Sequence, residues 1–176
     1  MKLFVTRHGE TTWNVEWKVS GVTDVELTSL GISQAEEAAK ALENEKIDII
    51  FASPLKRARH TAEIINSRCN APIIIDPRLT EQDYGIYEGV HRKTEGFLNN
   101  KRQFAVKYPG GESMFQVGYR VYAFLEEIKK SYENKNVLLV THGGVCRVIR
   151  TYFEDMTNEE YFEFSQGNCE IRIYEF

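Results

Sequence analysis

The sequence has no long hydrophobic run. Its longest apolar stretches are IDIIFA, APIII and NVLLVT, whereas about 18 consecutive apolar residues are needed to cross a bilayer as a helix. The amino terminus also lacks the basic region, long apolar region and small-residue cleavage site of an export signal. We therefore expect no membrane segment and a cytoplasmic location.

Cysteine is scarce and irregularly placed. Cys69, Cys146 and Cys169 are the only ones, and they share no CxxC or metal-ligand spacing. An odd number without such spacing favours neither a disulfide framework nor a zinc site. We expect three buried, reduced thiols.

Basic residues are not in excess. The 22 lysines and arginines are outnumbered by 26 aspartates and glutamates, which gives a net charge of −4. A nucleic-acid surface needs clustered excess positive charge, so the composition argues against a nucleic-acid partner. If the protein binds phosphate, it does so in a local pocket.

The length of 176 residues, 42% of them hydrophobic, is enough for one good core and short for two domains. We expect residues 1–176 to form a single domain. Short apolar runs typical of buried strands occur at 2–6, 47–52, 72–75 and 136–141. Amphipathic helices alternate with them, and the terminal CEIRIYEF alternates like an edge strand. This order predicts an α/β fold with a mostly parallel central sheet and helices on both faces.

Capping signals place the starts of the helices. Thr28 is a plausible cap for the first helix, and Ser53-Pro54 reads as cap and first turn of the second. Ser113 and Gln116 have the spacing of a capping box, and another helix begins at Gly143.

Three polar motifs follow three of the predicted strands. RHGE comes after the first strand, SPLKR after the second, and THGG after the strand NVLLVT. In such folds, ligands bind outside the carboxyl ends of the strands. The three motifs are therefore expected at one rim of the sheet.

The side chains brought together in this way suit a phosphoryl group. Guanidinium groups are bidentate donors to phosphate oxygens, helix amino termini add backbone N–H groups, and a neutral imidazole can accept a phosphoryl group. The residues that supply these groups are Arg7, His8, Asn14, Arg57 and His142.

An alcohol leaving group also needs a proton donor. Glu81 in RLTEQDYGIYEG is the candidate, with Glu88 as the competing carboxylate. We expect this segment to be a loop that bends back over the site, with Gly85 and Gly89 as its hinges.

At this point the sequence resembles the histidine phosphatase superfamily, which includes phosphoglycerate mutases and small-molecule phosphatases. The resemblance covers nearly the whole chain and follows the family order of motifs. These motifs are RHGETTWN, SGVTDVELTSLGISQA, SPLKRARHTA, LTEQDYGIYEG, PGGES, THGGVCR and the near-terminal GN.

The resemblance implies a phosphoglycerate mutase-like fold and assigns roles to five residues. His8 would be the nucleophile that becomes phosphohistidine, and Glu81 the proton donor. Arg7, Arg57 and His142 would form the rest of the phosphate pocket.

Four further positions match substrate contacts of the family. Asn14 corresponds to a phosphate contact, Ser20 and Gly21 to a segment that approaches the substrate, and the backbone of Gly143 to another N–H donor. The family needs no metal or other cofactor, and the implied partner is a small phosphorylated metabolite.

Two features favour the phosphatase branch over the mutase branch. Mutases carry extra residues between the acid loop and the following helix, whereas only 27 residues separate Glu81 from Pro109 here. The PGGES motif is also more like the phosphatases. Val22 and Tyr87 stand where the family often has tryptophan, which leaves the substrate's identity open.

Two other functions are compatible with the sequence. A mutase is the alternative activity, and a non-catalytic module that binds a phosphorylated ligand is less favoured because it has no use for a proton donor. Residues 91–108 are either a lid that contacts the non-phosphate part of a substrate or a solvated helix face. The protein is expected to be a monomer or a homodimer.

Overall fold

Five strands lie side by side in one sheet in the computed structural model, which describes residues 1–176. Four neighbouring strands are parallel, and only the last strand of the chain runs antiparallel, at the edge. The mostly parallel sheet is thus confirmed. In the order β3-β2-β4-β1-β5, the strands are β1 (Lys2–Arg7), β2 (Ile49–Ala52), β3 (Ile73–Ile75), β4 (Val137–Thr141) and β5 (Ile171–Glu175).

Helices cover both faces of this sheet, as expected. Two short 3₁₀ turns, Pro77–Leu79 and Gly85–Tyr87, flank the loop that carries Glu81. The helices are α1 (Thr12–Val15), α2 (Ser29–Leu42), α3 (Lys56–Cys69), α4 (Glu95–Lys101), α5 (Met114–Ser131), α6 (Gly143–Phe153) and α7 (Asn158–Glu163). None of them is long and apolar enough to span a membrane.

The alternation of side chains along the central strands builds two separate cores. Leu3 and Val5 of β1 point to the face covered by α5 and α6, where they join a cluster of 17 buried residues. Phe4, between them, points to the opposite face and packs with α2 and α3 in a cluster of 14. Successive residues of a strand face opposite sides of the sheet. A strand in a sheet that is buried on both faces therefore needs apolar residues at every position, which explains the uninterrupted apolar runs.

The helix starts agree with the capping signals at three of four places. The Thr28 side chain accepts a hydrogen bond from the Gly31 backbone N–H at 3.0 Å, and Ser113 with Gln116 forms a capping box. Helix α6 begins at Gly143. The prediction at Ser53-Pro54 is wrong, because α3 begins only at Lys56 and has no side-chain cap.

Two expectations about burial also need correction. The run at 72–75 does not form a buried strand, since β3 lies at the sheet edge and leaves Ile74 and Ile75 40% and 43% exposed. All three cysteines are free, but Cys69 is only partly buried. An apolar run alone does not distinguish a central strand from an edge strand.

The core beneath α5 predicts a large loss of stability on truncation. Phe124 is completely buried and its ring meets Phe51 edge-on at 5.3 Å. Phe124→Ala should lower the free energy of unfolding by about 3–5 kcal/mol, because it removes buried surface and leaves a cavity. Urea denaturation measures this, with Tyr119→Ala on the same helix as control. Tyr119 is 80% exposed, and its replacement should change the value by less than about 0.5 kcal/mol.

Candidate active site

The carboxyl ends of β1, β2 and β4 surround one polar cavity of about 180 Å³. Eight of the nine predicted site residues line it: Arg7, His8, Asn14, Ser20, Gly21, Arg57, Glu81 and Gly143. The ninth, His142, is completely buried next to the cavity, with its ring centroid 5.1 Å from that of His8. The fold therefore brings the predicted set together.

His8 is held as a neutral imidazole with one nitrogen free. Its Nδ1 lies 2.7 Å from the Gly9 carbonyl oxygen. A carbonyl only accepts, so Nδ1 carries the hydrogen and the lone pair is on Nε2. Burial, followed by the positive charges of Arg57 and Arg7, holds the pKa of His8 well below its usual value. A neutral imidazole with a free Nε2 is a competent nucleophile.

His142 is oriented by a serine that precedes α3. Its Nε2 lies 2.7 Å from Ser53 Oγ, which also accepts a hydrogen bond from the Leu55 backbone N–H. When the serine hydroxyl donates to Nε2, the imidazole hydrogen lies on Nδ1. This Nδ1 is buried and has no partner within the protein. Burial is the main cause that keeps the pKa of His142 well below its usual value.

Two guanidinium groups lie at the cavity next to His8, that of Arg57, which is buried, and that of Arg7, which is partly buried. Arg57 donates to the carbonyl oxygens of Thr23 at 2.9 Å and Gly21 at 2.6 Å, and Arg7 donates to that of Gln166 at 3.1 Å. The Nε atoms of both arginines have no partner. Burial lowers the pKa of Arg57 to about 10, so it is still charged at neutral pH. The backbone contacts fix both groups before any ligand binds.

Glu81 is the only carboxylate that lines the cavity. Its Oε2 accepts a hydrogen bond from the Gly144 backbone N–H at 3.0 Å, and its Oε1 accepts one from the Gln82 N–H at 2.9 Å. A Cβ at position 144 would lie 2.4 Å from Oε1. Glycine is thus required there for the carboxylate to reach the amino terminus of α6.

Glu88, the competing carboxylate, is committed to a structural contact. It accepts hydrogen bonds from the backbone N–H groups of Val22 at 2.8 Å, Thr23 at 2.7 Å and Tyr84 at 3.3 Å. Gly21 has a positive φ of 49°, and a Cβ there would collide with the Glu88 carboxylate. Glu88 and Arg57 together hold the loop that carries Ser20 and Gly21, and Glu88 does not line the cavity.

Some of the lining residues were not singled out from the sequence. Arg147 lies four residues after Gly143, so the helical repeat places it on the same side of α6, and that spacing is a usable signal. From the sequence, residues 91–108 are interpreted as a lid or a solvated helix face, but their irregularly spaced cations do not indicate which individual residues reach the cavity. The additional residues are Val19, Tyr84, Arg92, Phe97, Leu98, Lys101, Gly144, Arg147 and Ser165.

No group of three or more His, Cys, Asp or Glu side chains is arranged to hold a metal ion.

Comparison with known proteins places the chain in a family. Residues 3–176 match the histidine phosphatase superfamily (branch 1). The chain is 37% identical over 149 residues to PhoE, an uncharacterized phosphatase of Bacillus subtilis, covering 84% of this chain and 74% of the relative. It is 36% identical over 180 residues to phosphoserine phosphatase 1 of Hydrogenobacter thermophilus, covering 98% and 85%. It is also 33% identical over 185 residues to a 2,3-bisphosphoglycerate-dependent phosphoglycerate mutase of Cytophaga hutchinsonii, covering 99% and 87%.

Solved structures agree with this placement. YhfR of Bacillus stearothermophilus superposes with a TM-score of 0.89 at 31% identity, covering 99% of this chain and 90% of that one. A mycobacterial glucosyl-3-phosphoglycerate phosphatase superposes with a TM-score of 0.87 at 28% identity, covering 98% and 90%. The chain belongs to the histidine phosphatase superfamily, and its relatives include both phosphatases and mutases.

Because two imidazoles are buried, we expect the free energy of unfolding to decrease in mild acid. His8 and His142 are neutral in the folded protein, whereas an unfolded chain protonates each of them below about pH 6.5. The unfolded state therefore takes up more protons as the pH falls, and the free energy of unfolding should decrease, by at most about 1.4 kcal/mol per pH unit for each histidine once the pH is well below about 6.5.

Urea denaturation at pH 7, 6 and 5 measures this decrease. His142→Asn should reduce the slope between pH 6 and 5 by about half, whatever its effect on stability at pH 7. A native protein that is equally stable at pH 7 and pH 5 would contradict the assignment of neutral, buried imidazoles.

Proposed function

We propose that this protein is a metal-independent phosphomonoesterase that hydrolyses small phosphorylated metabolites through a phosphohistidine on His8. The observation that carries the proposal is the neutral His8 ring, with its Nε2 free, beside the partly buried Arg7 and the buried Arg57. The lone cavity carboxylate, Glu81, supplies the acid and base that hydrolysis needs.

The phosphoryl group of the substrate binds among donors that are already in place. Arg7 and Arg57 line the cavity, and His142 Nδ1 beside it has no partner within the protein, so the tautomer with a hydrogen on Nδ1 can donate to a phosphoryl oxygen. Asn14 and the backbone N–H of Gly143, at the amino terminus of α6, lie at the same cavity. Fixed donors stabilise the charge of a transferring phosphoryl group without reorganising during the reaction.

In the first half of the reaction, His8 Nε2 attacks phosphorus in line with the leaving oxygen. The P–N bond forms as the P–O bond to the alcohol breaks, and protonated Glu81 gives its proton to the departing oxygen. Transfer to the leaving group is general acid catalysis, which contributes typically 10²–10⁴-fold. The products are the free alcohol, phosphohistidine and ionised Glu81.

In the second half, a water molecule attacks the phosphohistidine. Glu81 accepts the proton that the water loses, the P–N bond breaks, and inorganic phosphate leaves. His8 regains its lone pair on Nε2, because its Nδ1 hydrogen stays with the Gly9 carbonyl throughout. Each group thereby returns to its starting protonation state.

A mutase is the second candidate, since a phosphoglycerate mutase is among the similar proteins. It would require more chain to enclose an intermediate than the 27 residues between Glu81 and Pro109 provide. Phosphoglycerate mutase activity that depends on added bisphosphoglycerate would favour this alternative. A non-catalytic binding module is the weakest candidate, because a proton donor would serve no purpose in it.

Replacing the nucleophile should abolish turnover. In buffer with EDTA, His8→Ala should lower phosphate release from a panel of small phosphate esters by roughly 10³-fold or more. His60→Ala is the matched control, because His60 is exposed on α3, and it should keep native activity. Full activity in His8→Ala would refute the proposed nucleophile.

Replacing the acid should affect esters according to their leaving groups. Glu81→Gln should lower kcat/KM for an alkyl phosphate by about 10²–10⁴-fold, because an alkoxide needs a proton to depart. The loss for p-nitrophenyl phosphate should be smaller, since a nitrophenolate departs readily without one. The exposed Glu63, replaced by glutamine, is the control. Equal losses on both esters would indicate that Glu81 does not protonate the leaving group.

A further inference from the structure

Outside the cavity, an ion pair joins the PGGES motif to helix α5. Glu112 is the glutamate of this motif, and no residue of the motif lines the cavity. Arg120 donates from Nε to Glu112 Oε1 and from Nη2 to Oε2, each at 3.1 Å. Both side chains are mostly buried, with 17% of Arg120 and 27% of Glu112 exposed. A bidentate contact of this kind holds both planar groups in one geometry.

This ion pair also holds the backbone of the loop that carries Glu81. Arg120 donates from Nη2 to the Glu81 carbonyl oxygen at 3.2 Å and from Nη1 to the Arg78 carbonyl oxygen. Glu112 Oε2 accepts a hydrogen bond from the Asp83 backbone N–H at 3.1 Å. The loop has no regular secondary structure at Glu81, so these side-chain contacts take the place of a backbone hydrogen-bond ladder.

The backbone of the PGGES motif packs against the same loop. The Glu112 N–H donates to the Asp83 carbonyl oxygen at 2.9 Å, and the Glu112 carbonyl oxygen accepts a hydrogen bond from Gln82 Nε2 at 3.2 Å. The two residues after Glu81 are therefore tied to the motif, while Glu81 itself is tied to Arg120.

The carboxylate of Glu81 reaches from this loop to the cavity. Its Oε2 accepts the hydrogen bond from the Gly144 N–H, and Gly144, the second residue of α6, has no partner for that N–H within its own helix. A shift of a reacting group by about 1 Å can slow a reaction by about a hundredfold. The position of the Glu81 backbone therefore determines how well its carboxyl group can protonate a leaving oxygen.

Neither Glu112 nor Arg120 lines the cavity, so their effect on the reaction must pass through the loop. We propose that they are positioning residues of the phosphatase reaction, whose ion pair holds the Glu81 loop so that its carboxyl group faces the leaving oxygen. This role rests on the proposed function, in which Glu81 is the acid, and adds two residues to it. An ion pair with a structural role alone would contribute to stability without affecting protonation of the leaving group.

Breaking the pair should slow the cleavage of esters selectively. Arg120→Met should lower kcat/KM for an alkyl phosphate by about a hundredfold and that for p-nitrophenyl phosphate by less than about threefold, because only the alkoxide needs the acid. Arg120→Lys keeps the charge but cannot bind both Glu112 oxygens and both carbonyl oxygens, so it should recover only part of the loss. Equal losses on the two esters would overturn the positioning role.

Arg68→Met is the matched control for the loss of an arginine from an ion pair. Arg68 binds Glu43 at 2.7 Å, and neither residue lines the cavity. This variant should leave both kcat/KM values unchanged. Glu112→Gln breaks the pair from its other side, and it should show the same selective loss even if Arg120→Met does not fold.

Combination with Glu81→Gln tests whether the pair acts through the acid. In the Glu81→Gln background, Arg120→Met should leave the ratio of the two kcat/KM values unchanged, because the proton that the pair positions is no longer there. A further large fall of this ratio in the double variant would overturn the positioning role. If Glu81→Gln is selective and Arg120→Met is not, the positioning role alone is wrong. If Glu81→Gln lowers both esters equally, the acid of the proposed function is wrong and the positioning role fails with it.

Hydrogen exchange measured by NMR tests the anchor without turnover. Exchange of the Gly144 N–H should be about tenfold or more faster in Arg120→Met, because the carboxylate that accepts it moves away. The N–H of Ile149, in the middle of α6, should exchange at the native rate, which excludes general destabilisation as the cause. An unchanged rate at Gly144, or an equal rise at Ile149, would overturn the positioning role even in a protein that hydrolyses no ester.

Discussion

The parallel pairing of β1 with β4 is the contact on which the site depends. The register sets Arg7 opposite Thr141, and the His8 backbone N–H donates to the Thr141 carbonyl oxygen at 2.9 Å. The residues that follow, His8 and His142, therefore leave the sheet side by side. A shift of this register by one residue would exchange the two faces of β1, so the hydrophobic core enforces the same alignment that the two imidazoles require.

Arg57 links this central pair to the rest of the cavity. It is a charged side chain with only 1% exposure, and its contacts are the carbonyl oxygens of the loop at 21–23 rather than a carboxylate. Glu88 binds N–H groups of the same loop from the other side. Arg57 donates to the carbonyl oxygens of the loop and Glu88 accepts from its N–H groups, so the loop is held from both sides. These contacts position Ser20, although the loop has no regular secondary structure.

The sequence was informative where a chemical motif coincided with the end of a strand. RHGE and THGG predicted where the polar cavity lies and several of the residues at it, because parallel strands place the residues after them at one rim. The Ser53 hydroxyl was misassigned as a helix cap because the sequence does not reveal that a distant imidazole lies 2.7 Å from it. The sequence left residues 91–108 open as a lid or a solvated helix face and did not indicate Arg92 and Lys101 individually, because their approach to the cavity depends on the long-range packing of Phe97.

For His8, the proposed nucleophile, burial lowers the pKa more than the neighbouring arginines do. Desolvation is the first cause of the lowered pKa of His8, and the charges of Arg57 and Arg7 come second. A phosphate dianion that binds between those arginines offsets their charge and would by itself favour protonation of the imidazole. Because binding a ligand removes still more water, the desolvation contribution persists in the complex. The Gly9 carbonyl meanwhile continues to hold the Nδ1 hydrogen, so the lone pair stays on Nε2 for the proposed attack on phosphorus.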